Sequence, residues 1–192
     1  VLMMFYRAPG ELESELAEMD ECMPDYYQIT GNHGQGAETI MHAEAAFMQG
    51  RFTDAHIALE RAYAQIEGNG QENMALCCDF LARRLSLFTD IGQRAKLEKR
   101  RERLLAHHNV SWLNLWNAAA AYHHALLGST DSIPEAYRRH RLFTVRTLAP
   151  GKPMIEMIEN QVYLAQGEYA HVIGRNEGLL AQCEAMHYAL VA

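Results

Sequence analysis

The sequence predicts an all-α fold, a superhelical stack of antiparallel helix hairpins. Three observations carry this. Long stretches rich in Ala, Leu, Glu and Arg contain few β-branched runs. Pro9, Pro24, Pro134, Pro150 and Pro153 fall between helical patterns, where proline is tolerated. Helical patterns end at Gly50, Asp90, Gly128 and Gly167, turn positions about 39 residues apart, within the range of helical-repeat arrays.

Leu2 to Tyr6 read as the end of a buried helix, broken by Pro9-Gly10. Glu11 to about Cys22 reads as an acidic amphipathic helix, and Pro24 to Gly36 as a loop rich in Gly and Asn. A helix then runs from about Ala37 to Gln49 and its partner from Thr53 to Glu67. The stretch AEAAFMQGRFTDAHIALERA, residues 43–62, carries the strongest signal. Gly50 ends the first helix because the tight turn needs φ above zero. Phe52 follows, and Ala55, Leu59, Ala62 and Ile66 fall on one stripe of the second helix. Ala55 and Ala62 are small because the two helices lie close. This is the grammar of a tetratricopeptide-type repeat. Such a unit cannot bury its apolar face alone, so it implies neighbours and a solenoid.

GNGQ at 68–71 closes that hairpin. Residues 73–88 place Leu81, Leu85 and Phe88 on one face, and residues 93–107 make a basic helix. Residues 112–127 are Ala-rich, with Trp112 and Trp116 as packing aromatics, and end at Gly128. A short helix follows from Pro134 to about Arg141. Residues 154–166 put Ile155, Ile158, Val162 and Ala165 in register and end at Gly167, with Tyr169 two residues on. A last helix runs from about Gly178 to the end. Residues 1–192 read as a single repeat region, and a start at Val suggests a piece of something longer.

Composition narrows function. Hydrophobic residues make up 49%, enough for a full core, and the net charge of −7 opposes a chain that coats nucleic acid. The basic run Arg94, Lys96, Lys99, Arg100, Arg101 and Arg103 reads as a solvated helix face, with Glu98 and Glu102 supplying pairs, ahead of the alternative of a contact for phosphates or an acidic partner. Cys22, Cys77, Cys78 and Cys183 show no CxxC spacing and fit reduced, mostly buried thiols of a cytoplasmic protein. VLMMFY is too short to span a membrane. His107-His108 and His123-His124 are adjacent pairs that diverge on a helix, and no HExxH occurs, so no metal site is expected. His33 reads as a residue that fixes its glycine-rich loop. No GxSxG or other catalytic signature occurs. The expectation is a binding module without cofactor, not an enzyme.

The segment ITGNHGQGAETIMHAEAAFMQGRFTDA, residues 29–55, resembles the start of the helical-repeat region of MalT-like LuxR-family transcriptional regulators. Gly31, His33, Gly34, Gly36, Ala43, Glu44, Ala45, Gly50 and Phe52 carry the likeness, and LMMFYRAPGEL looks like the helix end before that loop. It is clear over residues 1–92 and thinner, though in register, to 192. The resemblance implies a sensor region set between a nucleotide-binding module and a C-terminal DNA-reading module. This chain has no GxxxxGK[ST] and no recognisable DNA-reading helix-turn-helix, so ATP and DNA activities are not expected of it.

In stacked hairpins the first helix of each pair lines the concave face. Six residues before each turn stand Glu44, Arg84, Tyr122 and Gln161. They are expected to form an exposed polar line for a small-molecule inducer or a protein partner. Glu44 and Arg84 could pair there when the groove is empty. The alternative is a general protein–protein scaffold without a dedicated small-molecule ligand.

Overall fold

The computed structural model describes residues 12–69, 71–89, 92, 94–108, 110–140 and 152–186. Among them every regular element is helical. The expected helix end at Leu2–Tyr6, the Pro9-Gly10 break and the Asp90 turn lie outside the described residues. None of the described helices is long and apolar enough to cross a membrane. By its contacts the chain divides into two compact units, residues 2–93 and 94–192.

The first unit holds α1 (Leu12–Thr30), α2 (Ala37–Met48), α3 (Phe52–Asn69) and α4 (Glu72–Leu85). α1 runs on through Pro24, where a loop is expected from the sequence. Pro24 cannot donate a helix hydrogen bond, but the following turn is anchored from outside. Tyr27 donates its hydroxyl to the Glu38 carboxylate and lies 3.3 Å from the Gly34 carbonyl. Gln71 holds the next loop, accepting from the Gly34 N–H at 2.6 Å and donating to the Asn32 carbonyl at 3.1 Å. These residues fix the loop, whereas His33 is exposed.

α2, α3 and α4 pack pairwise around one core. Ala43, Ala46, Ala55 and Ala62 are buried there, and their small side chains let the helices approach. The predicted stripe Ala55, Leu59, Ala62 and Ile66 is the buried face of α3. Gly36 sits at φ 95, and a Cβ there would meet the Ile66 side chain at 3.0 Å. Leu81 and Leu85 are buried, but α4 ends at Leu85, so Phe88 leaves the core and is 59% exposed.

The second unit holds α5 (Arg94–Ala106), α6 (Val110–Leu126), α7 (Glu135–Arg138), α8 (Lys152–Ala165) and α9 (Tyr169–Ala185). α6 presents Ala118 to Ala121, all buried, and packs on α8, whose Ile158 and Val162 are buried. On α5, Leu97, Arg100 and Leu104 are buried one turn apart. The basic run is thus only partly solvated: Arg100 is 1% exposed. Trp116 donates its indole N–H to the Leu97 carbonyl at 3.2 Å, joining α6 to α5. α9 begins at Tyr169, not near Gly178, because it starts directly from the preceding turn; Gly174 and Gly178 lie within it, where a Cβ would meet nothing. Of the thiols, Cys78 and Cys183 are buried, Cys77 is half-buried and Cys22 is exposed.

Three helix ends share one geometry. Gly50, Gly128 and Gly167 have φ of 74, 67 and 79. After each, the next N–H reaches back to the carbonyl five residues earlier: Arg51 to Ala46, Ser129 to His124, Glu168 to Tyr163, at 2.8–2.9 Å. This is the Schellman closure, and it needs a left-handed residue. A Cβ on Gly50 would meet no neighbour, so any cost of substitution is conformational. Gly50→Val is expected to lower stability by about 1–3 kcal/mol in chemical denaturation. A neutral effect would mean that the turn tolerates another backbone geometry.

Candidate ligand or partner site

α2 buries one charged residue, Glu44, and α4 buries three, Asp79, Arg83 and Arg84. Glu44 lies among the alanines of α2 and is 0% exposed. Arg84 lies at the last turn of α4, also buried, and its Nη1 donates to Glu44 Oε1. Glu44 Oε2 has no hydrogen-bond partner among the described residues. The anticipated pair therefore forms, but inside the protein and not on an exposed face. The reason is the close helix approach around Ala43, Ala45 and Ala46, which buries the Glu44 side chain with them.

The guanidinium of Arg84 lies over the Phe47 ring, 4.5 Å from its centroid, and 5.6 Å from that of Phe80. Its Nη2 is 3.5 Å from Met48 Sδ. Phe47 contacts Phe52 and Phe88, and those two rings stack at 4.6 Å. A cation thus borders an aromatic shelf whose outer edge, Phe88 and Met48, is exposed. Such a shelf can take an apolar side chain or ring. The sequence showed Glu44 and Arg84 by position in the repeat. It gave no sign of the shelf, because Phe47, Phe52 and Phe88 meet only through the turn geometry.

In the same unit, Tyr63 of α3 donates to Asp79 Oδ1 of α4 at 2.7 Å, a second buried polar link. Tyr122 and Gln161 lie in the other unit, on α6 and α8, which pack together; both are half-buried. Glu44 and Arg84 are therefore brought together, and Tyr122 and Gln161 stand on neighbouring helices of their own unit.

That unit also holds a polar cluster that sequence reading missed. His140, in the turn after α7, stacks on Tyr163 of α8 at 3.7 Å. Glu159 of α8 pairs with Arg175 of α9 at 2.5 Å. Burial, then the nearby Glu159 charge, hold both the Tyr137 and Tyr163 phenols above their usual range. No spacing rule points to this cluster, since its members come from three elements. No group of three or more His, Cys, Asp or Glu that could hold a metal occurs among the described residues.

Comparison of the chain with known protein families, curated proteins and solved structures finds no match.

An exposed Glu44–Arg84 pair would be worth about 0–1 kcal/mol. A buried one behaves differently, because removing one partner strands a charge away from water. Arg84→Ala is expected to lower stability by about 3–5 kcal/mol in chemical denaturation. A change below about 1 kcal/mol would place the pair in effective contact with solvent.

Proposed function

We propose that the chain is the helical-repeat sensor and interaction region of a MalT-like LuxR-family transcriptional regulator. It takes a small-molecule inducer or a regulatory protein on the inner face of a tetratricopeptide-like stack. It then passes that state to ATPase and DNA-reading modules carried by the rest of a cytoplasmic regulator. The observation that carries this reading is the recurrence of one helix end. The same glycine closure stands at Gly50, Gly128 and Gly167, and first helices lie side by side, α2 on α4 and α6 on α8. This is the local geometry from which such stacks are built. The likeness of residues 29–55 supplies the family.

Signalling by such a region requires different ligand affinities for two arrangements of its helices. A second reading is a general protein–protein scaffold with no dedicated small-molecule ligand. The shelf beside Arg84 favours it, because exposed aromatic and methionine side chains near an arginine are typical of protein-binding surfaces.

The test is to sequence the coding region on both sides. The proposal expects a P-loop upstream and a helix-turn-helix downstream. An open reading frame with neither would overturn the regulator and leave the scaffold. The chain itself is expected to show no sequence-selective DNA binding at physiological salt. Any weak contact through its basic helix should fade as salt rises in a gel-shift titration. Selective binding that survives physiological salt would contradict the assignment of DNA reading to another module.

A further inference from the structure

The turn after α7 carries a histidine whose ring nitrogens meet opposite surroundings. His140 has φ 51, a left-handed conformation uncommon outside glycine but one that histidine enters more readily than most residues. Its ring lies flat on Tyr163, with planes 3° apart. Nε2 is 2.8 Å from Gln166 Oε1. Nδ1 is buried without a hydrogen-bond partner among the described residues and lies 3.9 Å from Glu159 Oε1.

Gln166 decides which ring nitrogen carries the proton. Its Nε2 donates to the Arg138 carbonyl at 3.0 Å, which only the amide NH2 can do. The amide oxygen therefore faces His140, and the ring's Nε2 must be the protonated one. A neutral ring then turns a bare Nδ1 lone pair towards a carboxylate. A charged ring turns an N–H towards it.

The other charged groups of the neighbouring elements are placed as follows. Glu159 Oε2 takes Arg175 of α9, leaving Oε1 on the His140 side. Glu156 pairs with Lys152 at 3.5 Å, and Arg139 pairs with Glu135 at 3.1 Å. Tyr137 is buried, and Arg138 gives its carbonyl to Gln166. His171 of α9 lies 4.9 Å from the Tyr163 ring, and Glu168 precedes α9. α6, packed on α7 and α8, contributes Tyr122, His123 and His124.

We propose that this cluster is a proton-operated clamp. Protonation of His140 closes an Nδ1–H contact to Glu159, tying the α7 turn to α8 and, through Arg175, to α9. The contact exists only while the imidazole is charged and the carboxylate ionised. Its stabilisation is lost when the ring gives up its second proton.

The test is urea unfolding of the full chain at pH 8 and pH 5.5, followed by the amide signals of α8. Wild type is compared with His140→Gln and Glu159→Gln. On going to pH 5.5, wild type should gain about fivefold in folding equilibrium constant over either variant, the worth of one ion pair near the surface. Long-range proton–nitrogen spectra of the wild-type ring should place its proton on Nε2 at pH 8. They decide the matter alone if the variants do not fold. A proton on Nδ1 at pH 8 overturns the clamp, and so does an equal pH dependence in wild type and variants.

Discussion

A carboxylate withdrawn from water needs a cation within reach, since an unpaired buried charge costs several kcal/mol. Glu44 stands at 0% exposure in the middle of α2, and Arg84 of α4 supplies that cation. The rest of the first unit is arranged around this requirement. Ala43, Ala46, Ala55 and Ala62 let the helices approach, and the approach is what excludes water from Glu44. Sliding α4 by one turn would carry Arg84 away and leave Glu44 buried without its cation. The pair therefore selects one register of α4 on α2, where apolar packing alone would tolerate several. Tyr63 and Asp79 add a second polar link between α3 and α4.

The second unit solves the same packing problem with other means. α6 carries a run of four buried alanines and packs on α8, whose Ile158 and Val162 are buried. Trp116 reaches across to a backbone carbonyl of α5, and Arg101 lies 5.7 Å from the centre of its ring. Polar chemistry gathers around Glu159, which answers both Arg175 and His140. Each unit thus carries a charged link between helices, deep in the first and closer to solvent in the second. Deep links fix geometry, whereas links near solvent can respond to conditions.

What the sequence made legible follows from periodicity and from glycine. The stripe Ala55 to Ile66 repeats at helical spacing, so its burial could be read directly. Gly50, Gly128 and Gly167 mark turns because no other residue closes a helix so cheaply with φ above zero. Proline misled at Pro24, since a local rule cannot see that Tyr27, in the turn after it, is anchored by Gly34 and Glu38 of the next segment. Charge misled at Arg100, which reads as solvent-facing in a basic run yet sits on the stripe of Leu97 and Leu104. Positions in the repeat found Glu44 and Arg84, but not how deeply they are buried, because burial is set by helix approach. The cluster at His140 was invisible, since His140, Glu159 and Arg175 are joined only by the packing of α7, α8 and α9.

The most direct measurement is a double-mutant cycle between Glu44 and Arg84, using Glu44→Gln, Arg84→Met and the combined variant. If the two charges act as one unit that positions α4 on α2, the losses are strongly non-additive. The coupling should then exceed about 2 kcal/mol, with the combined variant no less stable than either single one. Losses that add within about 0.5 kcal/mol would contradict this. They would show that α2 and α4 are held in place by apolar packing alone.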